Sequence, residues 1–282
     1  MSYVDDRREV LDLGFANGAY LLPCYAGDTF RKQFVVKEIR NTKKNDASIV
    51  TFQCNLLRNN TGGEVVFTVD KIMMFRGLTN QSAKSGLTYK NEGPKSSRLK
   101  DHILANSHAL PNHMYANPLK EGQLILHGMT RPFGRSNNMA LSSLFGMTHP
   151  TIFNSGLYSD KELVVPGALV ISLAASLASR DLTEGLHSTL FNCRLFNKTS
   201  PVDTISALTY VSKVEPLDGT LEESHCVTVG LKNVNVSELS GVNIPKELFT
   251  NTLTPNQLEA ELAEKCPELS EKVISVSSIN PR

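Results

Sequence analysis

The stretch LVVPGALVISLAASLASRDL, residues 163–182, decides how this chain is organised. Pro166 and Gly167 precede a run of small and aliphatic residues that carries no charge until Arg180. Proline followed by a small residue is typical of a helix start, and a helix that is apolar all round belongs in the interior of a domain. The stretch therefore predicts a central helix surrounded by other elements. It is too short, and too interrupted, to span a bilayer.

Strand patterns lie on both sides of this helix. Upstream, residues 123–130 (QLILHGMT) predict a strand, and apolar residues at near-helical spacing from Asn138 to Phe145 predict a short helix that ends at Gly146. Downstream, three segments rich in β-branched residues predict strands: 188–196 (STLFNCRLF), 204–216 (TISALTYVSKVEP) and 225–236 (HCVTVGLKNVNV). This order predicts an α+β fold in which an antiparallel sheet wraps the helix.

The first half predicts an antiparallel meander with strands at 34–39, 48–57 and 65–75. Asn60 and Gly63 supply the turn that a hairpin needs between the last two strands. After this meander, residues 77–121 are rich in Ser, Asn, Lys, Gly and Pro, with a helix pattern only near 99–105. We interpret them as a linker.

The two halves repeat each other. AGDTFRKQFVVKEI (26–39) aligns with PVDTISALTYVSKV (201–214), which pairs Asp28 with Asp203. So few residues precede the aligned part of the first copy that we expect it to begin near the end of its own central helix. The predicted organisation is an incomplete N-terminal repeat at 1–76, a linker at 77–121, a C-terminal repeat at 122–245 and a helical extension at 246–282.

The extension carries a clear helix signal. Thr254 and Gln257 form a capping box at the start of the segment 253–266. Leu258 and Leu262 form an apolar stripe on the predicted helix. Such a stripe docks either on its own domain, the commoner case, or on a partner.

Composition narrows the classes of function. Charged residues make up 20 % of the chain and leave a net charge of +1, so no strong global field attracts nucleic acid or an anionic membrane. The five cysteines are scattered without CxxC spacing, which favours reduced, mostly buried thiols over disulfides or a zinc site. The opening residues 1–10 match neither a secretory signal nor an Arg/Ser-rich transit peptide. We expect an intracellular protein.

Local stretches of the sequence carry a family resemblance. In the second half these are ILHGMT (125–130), NNMALSSLFGMTHPTIFN (137–154) and the stretch at 163–182; in the first half they are YAGDTFRKQFVVKEIRN (25–41), NNTGGEVVF (59–67) and MMFR (73–76). They resemble the MaoC-like acyl-CoA hydratases, in particular the mesaconyl-CoA (methylmalyl-CoA) hydratase branch. The resemblance implies a double hotdog fold with an incomplete first repeat.

That family adds water across the double bond of an enoyl-CoA thioester, so acyl-CoA is the implied ligand, without a further cofactor or a metal. A carboxylate or amide and an imidazole in an Asp-x-Asn-Pro-x-His loop move the protons. Anchored on Pro150, Met147 stands at the carboxylate position and Ile152 at the imidazole position. Neither side chain can move a proton.

Three residues remain as candidates for chemistry. His149 occupies the Asn position of the motif, and it could serve as a catalytic group together with Asn154, or simply hydrogen-bond within its loop. Gly167 aligns with the family glycine whose N–H faces the thioester oxygen, and a helix N-terminus suits developing negative charge. The alternative for Gly167 is an ordinary helix start.

Two functions follow from this resemblance. The favoured one is a hydratase-like protein without activity, a pseudoenzyme that serves as a structural or acyl-binding subunit of a larger assembly. The other is an active hydro-lyase that adds water to a short or branched enoyl-CoA. The resemblance implies a location in the mitochondrial matrix, and the cytoplasm is the alternative.

Partner contacts are expected through the hotdog sheets, the linker and the C-terminal helix, either with other proteins or with a second copy. The linker is locally basic, which leaves nucleic-acid contact open, although solvated charge is the favoured interpretation. Its basic residues are Lys84, Lys90, Lys95, Arg98 and Lys100. His102, His108 and His113 have irregular spacing, so we predict no metal site.

Overall fold

Nine antiparallel strands form one continuous sheet in the computed structural model of this chain. The structure describes residues 9–43, 46–59, 63–77, 98–109, 118–145, 147, 149–160, 162–182, 185–218, 221–250 and 252–281. The strands are β1 (Glu9–Tyr20), β2 (Phe30–Asn41), β3 (Ala47–Arg58), β4 (Glu64–Arg76), β5 (Leu124–Pro132), β6 (Ser188–Leu195), β7 (Thr204–Asp218), β8 (Leu221–Lys232) and β9 (Val273–Pro281). The helices are α1 (Arg98–Ala105), α2 (Arg135–Phe145), α3 (Pro150–Phe153), α4 (Gly167–Ser179) and α5 (Pro255–Lys265).

The strand order is that of two related halves joined edge to edge. The order is β2-β3-β4-β1-β6-β9-β8-β7-β5, so that β1 and β6 pair at the seam. Read outward from the seam, β1-β4-β3-β2 matches β6-β9-β8-β7, and β5 follows only in the second half. The arrangement agrees with the predicted α+β double hotdog fold, whose first repeat has fewer elements in the described part of the chain.

Equivalent turns confirm the predicted repeat. Just before β2, the carboxylate of Asp28 accepts a hydrogen bond from the backbone N–H of Tyr25, at 2.9 Å. Just before β7, the carboxylate of Asp203 accepts one from the N–H of Ser200, at 2.7 Å. Both turns span four residues and are followed by a long strand, as expected when one supersecondary unit occurs twice.

Helix α4 lies on one face of the second half-sheet. Its buried side includes Val170, Ala174 and Leu177, which form a core cluster with Ile205 and Ile274 of the sheet. The opposite side of the helix is exposed at Ser172, Ser176 and Ser179. The expectation of a helix buried all round is therefore wrong. The sheet packs on one side only, and each exposed serine hydroxyl donates to a backbone carbonyl of the helix itself.

The C-terminal segment is more than the helical extension that we predicted. Helix α5 has the predicted capping box, and its Leu258 and Leu262 are buried, with Leu269, in the core on the other face of the second half-sheet. The apolar stripe is thus docked on its own domain. The chain then returns as β9 between β6 and β8.

The predicted end of the C-terminal repeat at residue 245 is consequently wrong, because β9 completes that repeat. Residues 233–272 form an insertion between β8 and β9, at the place where residues 59–63 alone separate β3 from β4. Strand β9 escaped prediction because both its faces are buried, from Val273 to Ser277, so it lacks the apolar and polar alternation of a half-exposed strand.

The start of the first repeat also differs from expectation. Residues 9–20 form strand β1 rather than the end of a central helix. Asn17 adopts a positive φ of 54°, and the register with β4 shifts at several points along β1. These irregularities hide the strand pattern, since bulges interrupt the two-residue period.

The predicted linker contains the expected short helix. Helix α1 spans Arg98–Ala105, and the Lys100 ammonium lies 3.9 Å from the Glu223 carboxylate of β8. The basic residues Lys84, Lys90 and Lys95 and the histidine His113 lie outside the described residues. No helix in the described part of the chain is long and apolar enough to cross a membrane.

A series of hydrogen-bonded polar side chains connects the edge strand β5 to the residues that follow α4. His127 of β5 is 1 % exposed. Its Nδ1 lies 2.7 Å from the carboxylate of Asp181, and its Nε2 lies 2.8 Å from the hydroxyl of Thr209. The Thr209 hydroxyl in turn lies 2.9 Å from that of Thr228. His127, Thr209 and Thr228 are buried, and hydrogen bonds between buried polar groups favour one packing arrangement.

All five cysteines are free thiols, and Cys193, Cys226 and Cys266 are buried. Burial raises the pKa of Cys193 and of Cys226 to about 12, and that of Cys54 to about 11. A raised pKa keeps these thiols protonated near neutral pH. Cys24, in contrast, is exposed.

We predict that iodoacetamide at pH 8 alkylates the folded protein at Cys24 and leaves Cys193, Cys226 and Cys266 unmodified. The thiolate is the reactive form, and the buried thiols are neither ionised nor accessible. Peptide mapping by mass spectrometry measures the modification. Urea-unfolded protein is the control and should react at all five cysteines; equal labelling of Cys24 and Cys193 in the folded state would contradict the placement of β6.

The seam between the repeats depends on a close approach at Gly14. A Cβ on Gly14 would lie 2.1 Å from the backbone carbonyl oxygen of Cys193 in β6. We predict that Gly14→Ala lowers the free energy of unfolding by about 1 to 3 kcal/mol, because the seam strands must move apart. Urea titration measures the change. Gly128→Ala on β5 is the matched control, since no atom lies within 4 Å of its added methyl group, and it should cost much less.

Candidate functional site

A cavity of about 330 Å³ lies at the N-terminal end of α4. Its volume falls within the range of small-molecule sites. The first repeat contributes Leu11, Asp12 and Lys71, and the second repeat contributes the rest of the lining. Most of these side chains are apolar, including Val164, Val165, Val170, Leu195 and Ile274. The cavity is therefore a space between the repeats with a largely apolar wall.

The loop at 147–153 brings the two predicted motif positions to this cavity. Met147, which is 7 % exposed, and Ile152 both line it. The side-chain amide of Asn138 donates to the carbonyl oxygen of Ile152, and the N–H of Val164 donates to that of Thr151 at 2.9 Å. These bonds fix the loop against α2 and against the segment that leads into α4. The two positions that the resemblance assigns to the acid-base pair are thus apolar and line the cavity.

His149 lines the same cavity, but its side chain is already hydrogen-bonded to the backbone of α3. It is the N-cap of α3, and its Nδ1 accepts from the N–H of Thr151 at 3.4 Å and lies 2.7 Å from the Thr151 hydroxyl. An accepting Nδ1 carries no proton, so the proton of the neutral ring is on Nε2. In this arrangement Nε2 can donate a hydrogen bond but cannot take a proton from water.

Asn154 is not brought to the cavity. It ends α3, its side-chain oxygen accepts from the N–H of Gly156 at 3.0 Å, and it is not among the residues that line the cavity. The hypothesis of a His149 and Asn154 pair therefore has no geometric support. The physical reason is the turn after α3, which directs the Asn154 side chain to its own backbone.

Gly167 begins α4, as predicted, and it lines the cavity. A Cβ at this position would lie 2.3 Å from Cδ1 of Leu195 and 3.3 Å from a carboxylate oxygen of Asp12. A larger residue at 167 would therefore require the Leu195 side chain to shift. The helix has no side-chain N-cap, and the nearby negative charge of Asp12 interacts favourably with the positive end of its dipole.

Asp12 and Lys71 form an ion pair that sequence reasoning missed. The Lys71 ammonium lies 2.9 Å from the Asp12 carboxylate, and their side chains are 8 % and 17 % exposed. Asp12 comes from β1 and Lys71 from β4. The available signal was the presence of charged residues inside two apolar strand stretches: Asp12 in VLDLGF, and Asp70 with Lys71 in TVDKIMMF. Charges in such places are rarely buried unless they are paired.

Lys198 and Glu162 line the cavity close to its exposed rim. The Lys198 ammonium donates to the backbone carbonyl oxygen of Glu162. Burial lowers the pKa of Lys198; the Glu162 carboxylate opposes this shift and the Lys232 ammonium adds to it. The rim therefore carries an amine that is easier to deprotonate than an ordinary surface lysine.

The described residues offer no metal site: no three His, Cys, Asp or Glu side chains among them are arranged to hold an ion. His102 lies on exposed α1 and His108 in the short helical turn Ser107–Ala109 that follows. His102 instead approaches the side chain of Asn106 at 3.4 Å.

Solved structures place this architecture among the double hotdog proteins. A protein assigned as a MaoC domain dehydratase from Chloroflexus aurantiacus aligns with a TM-score of 0.69 and 20 % sequence identity, over 98 % of this chain and 77 % of its own. A double hotdog protein from Mycobacterium tuberculosis gives 0.63 and 11 %, over 99 % and 77 %. A further MaoC-like dehydratase gives 0.56 and 12 %, over 96 % and 75 %.

These neighbours confirm the predicted double hotdog fold. The sequence itself matches no family model and no curated protein significantly. At such low identities the likeness establishes the fold alone, so the hydratase chemistry must be argued from the residues of this chain.

We predict that Asp12→Asn destabilises the protein by about 3 kcal/mol, because it removes the carboxylate charge that lies 2.9 Å from the buried Lys71 ammonium. The double variant Asp12→Leu/Lys71→Met removes both charges and should recover most of that loss. Urea unfolding of the two variants measures the difference. Equal destabilisation by the single and the double variant would mean that the pair contributes packing rather than charge compensation.

Proposed function

We propose that this protein is a MaoC-like double hotdog protein without hydratase activity, which binds a short acyl thioester in its cavity as a subunit of a larger assembly. One observation carries the proposal. Both positions of the expected acid-base pair, Met147 and Ile152, line the cavity with side chains that cannot transfer protons. The family resemblance and the dehydratases among the structural neighbours support the class of ligand.

Hydration needs a group that takes a proton from water and a group that delivers one to the α-carbon. His149 cannot take a proton while Nδ1 holds the cap of α3. Asp12 is charge-paired with Lys71 and lies beside Gly167, where a developing enolate would need positive surroundings. A carboxylate at that place opposes the transition state, which favours binding without turnover.

The cavity suits an acyl group better than a polar ligand. Its wall is more apolar than polar, so burial of a short acyl chain removes apolar surface from water. Its lining also includes the start of α4 and the exposed Lys198. In the proposed complex, the thioester carbonyl lies near α4 and the polar carrier lies outside the cavity.

A subunit role would use the first repeat, where β2 exposes apolar side chains. On β2, Phe30, Phe34, Val35 and Val36 are 37 to 54 % exposed. No described strand pairs with the outer edge of β2, where β5 pairs with β7 in the second repeat. We infer that a protein partner or a second copy covers this strand, and the mitochondrial matrix is the compartment that we propose from the family resemblance.

We predict that the purified protein does not hydrate crotonyl-CoA or mesaconyl-CoA above the uncatalysed rate, although calorimetry detects binding of butyryl-CoA. The absorbance of the enoyl thioester follows hydration. Ile152→Trp, which fills the cavity, should abolish binding without restoring activity. Gain of hydration by Met147→Asp/Ile152→His would further support an intact acyl pocket around an inactive centre.

The second candidate is an active hydratase with a different proton-transfer pair. It is favoured by one observation: a carboxylate, Asp12, and an imidazole, His149, line the same cavity. Turnover by the wild-type protein that is lost in both His149→Ala and Asp12→Asn, with folding retained, would establish this function and overturn the first. Wild-type inactivity together with butyryl-CoA binding would exclude it.

A further inference from the structure

We propose that Lys198 is an acyl-acceptor site, at which the side-chain amine attacks the carbonyl carbon of an acyl thioester held in the cavity and becomes an Nε-acyl lysine. This inference rests on the proposed acyl-thioester binding and adds a covalent outcome to it. The cavity then presents its ligand to a nucleophile of the protein, although it lacks a working hydration centre.

The position of Lys198 is fixed by bonds to the segment that leads into α4. The N–H of Val165 donates to the carbonyl oxygen of Thr199 at 2.9 Å, which pairs the backbone next to Lys198 with the backbone two residues before Gly167. The Lys198 ammonium donates to the Glu162 carbonyl oxygen in the same segment. Lys198 and Gly167 thus line one cavity from adjacent chain segments.

The electrostatic surroundings favour the nucleophilic form of this amine. Burial lowers the pKa of Lys198, and the Lys232 side chain, which donates to the Lys198 carbonyl oxygen at 2.7 Å, places a second positive charge nearby. The carboxylate of Glu162 acts in the opposite direction. A lower pKa leaves a larger fraction of the amine neutral at a given pH, and only the neutral amine attacks a thioester.

Two lysines of the same chain provide a contrast. Lys213 and Lys265 lie away from the cavity, and their ammonium groups donate hydrogen bonds to the carboxylates of Glu215 and Glu261, which raise their pKa values. Both are exposed to solvent. They report the background rate at which a surface lysine of this protein reacts with a thioester in solution.

The step balances without a further reactant. The ammonium of Lys198 loses a proton to solvent, its nitrogen forms a bond to the carbonyl carbon, and the carbon–sulfur bond breaks. The thiolate of CoA leaves with the electron pair and takes up a proton, while the amide nitrogen loses its second proton to solvent. The products are an amide, a free thiol and one proton, and no oxidation or reduction occurs.

The experiment compares acylation rates at the three lysines. The full-length protein is incubated with butyryl-CoA at pH 8, and mass spectrometry of peptides quantifies acylation at Lys198, Lys213 and Lys265 over time. We expect Lys198 to react at least about tenfold faster, because binding raises the effective concentration of the thioester at this amine. Its rate should also saturate at the concentration that saturates binding in calorimetry.

Two controls decide the interpretation. Ile152→Trp should lower the rate at Lys198 to that at Lys265 and leave Lys213 unchanged, since it fills the cavity without altering these lysines. A non-cleavable butyryl-CoA thioether, added as a competitor, should likewise suppress acylation only at Lys198. Saturable binding with equal rates at all three lysines would overturn the acceptor role and leave the proposed function standing, whereas absence of binding would overturn both.

Discussion

The pairing of β1 with β6 is the constraint on which the rest of this molecule depends. It joins two half-sheets into one, and it does so at a distance that allows no side chain at Gly14. Because the seam is that close, Asp12 of the first repeat reaches the first turn of α4 in the second. The cavity exists at this junction, and its polar pair belongs to one repeat while its helix belongs to the other. A looser seam would separate the carboxylate from the helix dipole that it faces.

The two repeats differ in how completely their sheets are covered. The second half-sheet has α4 on one face and the insertion with α5 on the other, so its central strands are buried on both sides. In the first repeat, the buried cluster consists of Val50, Met73 and Phe75, and β2 exposes apolar side chains. The second half-sheet is thus covered on both faces, whereas β2 of the first repeat leaves apolar side chains exposed.

The site combines a largely apolar wall with a few charged groups. Helix α3, the loop before it and the start of α4 contribute to the cavity, where Met147 and Ile152 are apolar and the Asp12 carboxylate lies beside the helix start. At the rim, partial desolvation lowers the pKa of the Lys198 amine. We base both proposed roles, acyl binding without hydration and acylation of Lys198, on which polar groups line the cavity.

The sequence by itself determined the local features. The run at 163–182 defined α4, the capping box at Thr254 defined α5, and the repeated turns at Asp28 and Asp203 defined the duplication, because each depends on residues within a few positions of one another. The loop sequence also revealed the apolar replacements at Met147 and Ile152. These features were sufficient to predict the fold class and to propose that hydratase activity is absent.

Only the tertiary structure decided the features that join distant segments. It inserted β9 between β6 and β8, formed β1 from an irregular stretch, paired Asp12 with Lys71 and committed His149 to the cap of α3. Each of these depends on which strands become neighbours and on which side chains then lose contact with water. Such pairings leave no periodic trace in either segment alone, since the free energy that selects them arises only when both segments are in place.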